Sequence, residues 1–316
     1  MVLRRALPLR LSQCVYRSFS HSAASLQLSP FTRRLFKLPA APPPASLNHH
    51  DLPSFLSYAE RTGLPASSTT YVGTHYEYTV LQSLRRFAFA LHRVGGRDDA
   101  GIDLVGTWHL PRRAHALRVV VQCKALKTKL GPNLVRELEG AFRHSPVGWR
   151  TSEKVAILVS PREATKGVRD AMARSDYPLF WIMMERDGTI RQALWNGKVE
   201  ALGLGALGVE TRYREHSSDP AQKDIILTWD DEEFPHMDRV EEDMAKQEAE
   251  WVATWGCERL SETGKVELLE MVETAFPDLG PGHALEQIDQ SSLAAKKAEF
   301  LALLEEKSPR SGQEPK

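Results

Sequence analysis

The sequence predicts an α/β protein: a mixed sheet flanked by helices, followed by an acidic helical C-terminal region. Three observations predict it. Between residues 70 and 195, segments of helical and of strand periodicity alternate. The longest apolar runs, Val119-Val120-Val121 and Leu179 to Met184, have the length of buried strands. A membrane-spanning helix would need roughly 18 or more such residues. Charge is also divided along the chain. From Asp219 onward there are 24 acidic and 10 basic residues, a net −14, so the zero total leaves +14 on residues 1–218. A basic first part fits a polyanionic partner, and the acidic remainder either folds back on it or meets a protein partner of its own.

The start of the chain reads as an address. No Asp or Glu precedes Asp51, while Arg4, Arg5, Arg10, Arg17, Arg33, Arg34 and Lys37 are interspersed with Ser, Leu and Ala. An acid-free, Arg- and Ser-rich amphipathic stretch describes a mitochondrial presequence. Residues 1–40 are therefore assigned to a presequence and basic arm, with processing near Phe19 or Ser20 after Arg17-Ser-Phe-Ser20, and the protein to the mitochondrial matrix. The arginines interrupt any continuous apolar core of a secretory signal. Cys14, Cys123 and Cys257 stand apart, so neither a disulfide framework nor a cysteine metal site is expected.

Residues 41–69 read as a Pro/Ala-rich linker with a short helix over Asp51 to Glu60. Residues 71–93 read as one helix, because Tyr76, Val80, Leu81, Leu84, Phe87, Ala88 and Leu91 recur at spacings of three and four. A three-glycine turn, Gly95 to Gly101, leads into two strands, Ile102 to His109 and Leu117 to Lys124, joined as a hairpin centred near Arg113. A helix over Pro132 to His144, a strand over Val155 to Ser160 and a helix over Ala164 to Ser175 follow. Leu179 to Glu185 and Thr189 to Trp195 pair around Asp187-Gly188, a hairpin turn signal. The domain is bounded at 70–216. Residues 217–306 form the acidic helical region, with helices near 239–256, 262–276 and 291–306, and residues 307–316 a disordered tail.

Chemistry is expected at the end of the second strand. In Val119-Val120-Val121-Gln122-Cys123-Lys124, period two puts Gln122 and Lys124 on one face. Polar groups at the end of so apolar a strand need partners, since burying an unpaired charge is costly. The assumed hairpin register sets Asp103 opposite Lys124 and diagonal to Gln122, and Glu77 reaches the same point from the preceding helix. A carboxylate, a carbonyl oxygen and a second carboxylate suit Mg2+ (or Mn2+), which takes oxygen ligands and keeps several waters. Lys124 would hold an attacking water and stabilise the transition-state charge. The metal ligands are thus Asp103, Gln122 and Glu77, and the catalytic set adds Lys124. Lys127, Lys129, Arg136 and Arg143 form a phosphate track, with Arg162, Lys166 and Arg169 on the next helix.

These segments resemble a known family. Gly73-Thr-His-Tyr-Glu77, then Gly-Gly-Arg-Asp-Asp-Ala-Gly-Ile-Asp103-Leu, then Val-Val-Val-Gln122-Cys-Lys124-Ala resemble the Mrr-type branch of the PD-(D/E)xK nucleases. That branch often carries Gln at the position of Gln122. The resemblance spans roughly residues 70–195 and implies a restriction-endonuclease-like fold and metal-dependent cleavage of DNA. With its presequence and acidic tail, the whole chain resembles the fungal mitochondrial "required for respiratory growth protein 7" family, which implies mitochondrial location and a requirement in respiratory growth; a nuclease there would serve mitochondrial genome maintenance. The alternative from another class is a catalytically inactive nucleic-acid-binding or scaffold protein supporting mitochondrial gene expression. It follows from Gln122, a neutral ligand that holds a cation less strongly than a carboxylate. Gly203-Leu-Gly205-Ala-Leu-Gly208 matches a dinucleotide fingerprint by letters, but no helix is expected to open after it.

Overall fold

The computed structural model describes residues 28–95, 101–126, 128–213, 223–276 and 290–307. The expected import address before residue 28, residues 96–100 of the glycine turn, Lys127 and the expected tail beyond 307 lie outside them.

A six-stranded mixed sheet, in sequential order, organises the molecule: β1 Phe89–Arg93, β2 Leu104–Trp108, β3 Leu117–Cys123, β4 Lys154–Ser160, β5 Leu179–Met184 and β6 Ile190–Trp195. The first three strands are antiparallel neighbours, β3, β4 and β5 run parallel, and β6 returns antiparallel. Parallel neighbours need crossovers, and two helices supply them: α4 Asn133–Arg143 and α5 Lys166–Arg174. Both cover one face of the sheet, where Val105, Val120, Leu158 and Trp181 meet Leu134, Leu138, Val168 and Met172. The other face packs against α3 Thr69–Leu84 through Tyr76, Val80 and Leu84. A second, three-stranded sheet covers the rest of that face: β7 Leu207–Tyr213, β8 Lys223–Trp229 and β9 Glu232–Glu233. Adjacent valines of β3 thus serve different layers, as strand alternation requires.

The β5–β6 turn forms as its residues dictate. Gly188 takes φ +88, and Glu185 N–H donates to Thr189 O at 2.8 Å. A Cβ at Gly188 would also strike the Ser83 hydroxyl of α3, so glycine serves both the turn and the packing.

Four expectations are corrected. The helix over 71–93 ends at Leu84. A 3-10 turn, Arg85–Phe87, and Ala88 at φ +61 lead into the edge strand β1. Phe87, Phe89 and Leu91, all buried, also fit a period of two, and over so short a run the helical period does not discriminate. Second, the boundary at 216/217 cuts through a β-hairpin, because β8 pairs with β7 across it. The strand is half-exposed and interrupted by Asp224, so its charge masked its alternation. Third, the basic arm is in part a docked element. Residues Pro30–Leu35 form α1, with Phe31 and Leu35 buried against Leu269, Trp251 and Val252. Thr32 Oγ1 donates to Glu248 at 2.6 Å, and Arg34 pairs with Glu273 at 2.7 Å.

The last correction concerns the hairpin register. Leu104 faces Val121, whereas the assumed register set it against Cys123. A shift of two residues preserves the faces, where a shift of one would have reversed them. The short helix falls at α2 Leu52–Thr62, with Asp51 as its cap, and Gly197–Val199 is a brief helical turn, α6. The three C-terminal helices lie where expected: α7 Met237–Trp255, α8 Glu262–Ala275 and α9 Gln290–Lys307. Trp255, Leu268, Val272, Phe300 and Leu304 give them a core of their own.

Candidate active site

Three of the four candidate side chains arise from the irregular end of the β2–β3 ladder. Leu104–Val121 is the last regular pair. One step beyond, Asp103 N–H donates to Val121 O at 3.0 Å, and its carboxylate Oδ2 accepts from Cys123 N–H at 2.6 Å. The side chain thus replaces a ladder acceptor, which pins Asp103 beside the last residues of β3. A charge-assisted bond of this kind is stronger than the neutral one it replaces.

Gln122 is buried, at 3% exposure, and its Oε1 has no hydrogen-bond partner among the described residues. A Cβ built on Gly101 would lie 3.0 Å from Gln122 Nε2, and Gly101 itself holds φ +79. The glycine therefore supplies both the backbone shape and the room for the amide. An orphaned buried carbonyl costs about 1–3 kcal/mol, so it calls for a partner, whether water, a cation or a substrate group. Lys124, just past β3, pairs with Glu137 of α4 at 3.1 Å and remains partly exposed.

Glu77 enters from α3, on the other side of β3. It is held by Arg93, the last residue of β1, at 2.5 Å, and only 13% of each side chain is exposed. Arg93 also lies over the Tyr78 ring, whose hydroxyl hydrogen-bonds with His49 Nδ1 at 2.7 Å. Cys123 reports the convergence of these charges. Burial pushes its thiol well above the ordinary value, the carboxylates of Asp103 and Glu77 push it further, and Arg93 opposes them. Glu77, Asp103, Gln122 and Lys124 therefore gather around one end of β3, but Glu77 is already neutralised.

A divalent cation can be tested against these residues. The described residues contain no group of three or more His, Cys, Asp or Glu side chains able to hold a metal. The donor set that fits is one carboxylate, Asp103, and one carbonyl oxygen, the orphan of Gln122. Magnesium suits so few protein oxygens because it retains water and takes further ligands from substrate phosphate.

The basic residues divide by position. Lys129, exposed, follows β3, and Arg136 is exposed on α4. Arg143, at the far end of α4, bonds Tyr177 OH at 2.6 Å ahead of β5, away from the site. Arg162 follows β4, Lys166 pairs with Asp170 at 2.8 Å, and Arg169 donates to Ala164 O. Sequence reasoning missed Arg93 and Arg186. Arg93 was absorbed into the overlong helix, although a period-two reading of Phe89–Arg93 would have brought it to a strand end. Arg186 is hidden in the charged turn Glu185-Arg-Asp-Gly188.

The acidic helix α7 packs at the opposite end of the sheet. α7 meets the 3-10 turn before β1, where Arg85 pairs with Asp238 at 2.6 Å and Glu241 at 2.9 Å. A cleft of about 670 Å3 also lies at that opposite end, lined by His109, Arg113, Trp229, Glu232 and Asp243. None of the four candidate residues lines it.

Comparison with known proteins finds similarity to one family. The model of the family described as required for respiratory growth protein 7 matches residues 68–117 and 110–213. An uncharacterised mitochondrial protein of Schizosaccharomyces pombe is 32% identical, over 50% of this chain and 63% of its own length. A mitochondrial required for respiratory growth protein 7 of Saccharomyces cerevisiae is 26% identical, over 42% of this chain and 72% of its own. That of Lachancea thermotolerans is 29% identical, over 38% and 62%. No solved structure matches the chain.

Proposed function

We propose that this mitochondrial protein belongs to the required for respiratory growth protein 7 family, whose model matches residues 68–213, that it serves respiratory growth, and that it is a metal-dependent nuclease of restriction-endonuclease-like fold acting on DNA in genome maintenance. The observation that carries this reading is the buried, unpartnered Gln122 Oε1 at the end of β3, where Asp103 also bonds and Lys124 follows.

Asp103 and Gln122 would hold Mg2+, which supplies charge neutralisation at the scissile phosphate when bound. The chain's own residues do the rest. Asp103 is fixed by the Cys123 N–H, so its carboxylate keeps one direction. Lys124 shares its charge with the partly exposed Glu137, a pairing weak enough to yield to phosphate or to hold an attacking water. Glu77 acts from behind Arg93, setting the local field.

The test is cleavage of plasmid and linear DNA in magnesium by the full chain, beside Asp103→Ala and Lys124→Ala. Loss of cleavage in both, with the fold intact by circular dichroism, supports the reading. Undiminished cleavage in either sinks the assigned site. The Glu77–Arg93 pair favours a second reading, a nucleic-acid-binding protein without catalysis, because it occupies a carboxylate that a nuclease could use as a ligand. Under that reading wild type binds DNA in a salt-sensitive manner and cleaves none.

A further inference from the structure

Three parallel strands end side by side at the candidate site, and a cation follows each: Lys124 after β3, Arg162 after β4 and Arg186 after β5. Neighbouring strands lie about 4.8 Å apart, so the row spans about 10 Å. Arg186 is exposed, and its Nη2 reaches 3.5 Å from the backbone oxygen of Ala125, the residue after Lys124. The guanidinium therefore lies back across the end of β4, toward the site.

Its sequence neighbours are both carboxylates, yet both are engaged elsewhere. Glu185 accepts two bonds from Arg191, at 3.0 and 3.1 Å. Asp187 closes its own turn by accepting from Thr189 N–H at 2.9 Å, and that bond holds its carboxyl below the usual range. Among the described residues, neither Arg162 nor Arg186 forms an ion pair with a carboxylate. The Ala125 contact is at the limit of hydrogen bonding, which leaves the rest of the Arg186 fork to an external anion. A planar fork of donors matches phosphate bidentately, as it does carboxylate, and the nearby carboxylates are already engaged.

We infer that Arg186 and Arg162 bind backbone phosphates of the nucleic acid, laying its strand across the carboxyl ends of β3, β4 and β5 instead of along α4. The inference rests on the nucleic-acid reading of the site and adds its direction and two of its contacts. It also accounts for Arg143 being spent on Tyr177 at the far end of α4.

The experiment measures fluorescence anisotropy of a labelled DNA duplex, and of the RNA duplex of the same sequence, with the full chain across a salt series. The variants are Arg186→Gln, Arg162→Gln and Arg186→Lys, with Arg174→Gln, exposed at the C-terminal end of α5, as an equal change of charge elsewhere. Each Gln variant at the strand ends should weaken binding roughly tenfold and lower the salt slope by about one, the signature of one lost phosphate contact. Arg186→Lys should recover part of the loss, and Arg174→Gln should match wild type. A loss on both duplexes identifies backbone phosphate as the ligand, and a loss on one identifies which nucleic acid runs there. If wild type binds but Arg186→Gln and Arg162→Gln keep its affinity and slope, the inference is overturned while the site reading stands. If wild type binds neither duplex, both fall together.

Discussion

The two ends of the six-stranded sheet treat their charged groups differently. At the end where β1 and β4 begin, Trp108, Lys154 and Arg85 find partners inside the protein, although Arg118 Nε and His115 Nδ1 are buried without a hydrogen-bond partner among the described residues. Trp108 donates to Phe87 O at 2.9 Å, and Lys154 sits 4.2 Å from the centre of the Phe142 ring. Burial works against the charge of Arg85, but Glu241 and Asp238 outweigh it and hold the guanidinium above its usual range. At the end where β3, β4 and β5 finish, Gln122 keeps an orphaned oxygen, Lys124 has only a partly exposed carboxylate, and Arg186 has one marginal contact. The closed end contributes stability. The open end forgoes some, as the proposed binding function would require.

This contrast can be broken most forcefully at the closed end. Trp108 is fully buried, stacks on Phe89 with centroids 4.5 Å apart and meets Phe180 edge-on. Trp108→Ala should cost about 3–5 kcal/mol in chemical denaturation, as a large cavity with a lost hydrogen bond would. A cost comparable to that of a surface substitution would show that this end is not the sheet's anchor.

Acid comes next. Burial lowers the His92 and His109 imidazoles to about 4, with Arg33 adding to the effect on His92. Between that value and the ordinary one near 6.5, the unfolded chain binds protons that the folded chain refuses. Stability is therefore complete above about pH 6.5 and falls as pH drops toward 4, by an order of a few kcal/mol. Denaturation midpoints at pH 7.5 and 5 would show this slope, and replacing both residues by Gln should flatten it.

Smaller still is the loss at the α7 contact. Arg85→Ala leaves Asp238 and Glu241 without their shared cation and should cost roughly 2 kcal/mol. Faster hydrogen exchange should appear in α7 and leave β3 unaltered. Removing residues up to 40 should act on the same layer, because it takes away Phe31 and Leu35.

The smallest effect has the opposite sign. Gln122→Leu removes an unsatisfied buried oxygen without opening a cavity, so stability should hold or rise by up to about 1 kcal/mol. A clear destabilisation would mean that the amide is satisfied and that the open end is open in appearance only.

Much of this was legible in the sequence, and the reasons for the rest are physical. Gln122 and Lys124 could be placed by strand alternation alone, because β3 is long and apolar enough to fix its phase. The faces also survived a wrong register, since the error was an even number of residues. β1 was lost because five residues that satisfy both periods carry no decision. β8 was lost because its charges were read as a change of domain, when tertiary pairing with β7 decides its state. The Glu77–Arg93 pair joins α3 to a strand absent from the sequence reading, so no spacing could have announced it.

The central claim is that Asp103 and the orphaned oxygen of Gln122 form a cation site. It is tested most directly by isothermal calorimetry of Mn2+ binding to the full chain in the presence of a non-hydrolysable DNA duplex. Wild type should bind the ion, and Asp103→Ala and Gln122→Leu should each lose it while remaining folded. Equal binding by all three proteins, or none by wild type, would contradict the account.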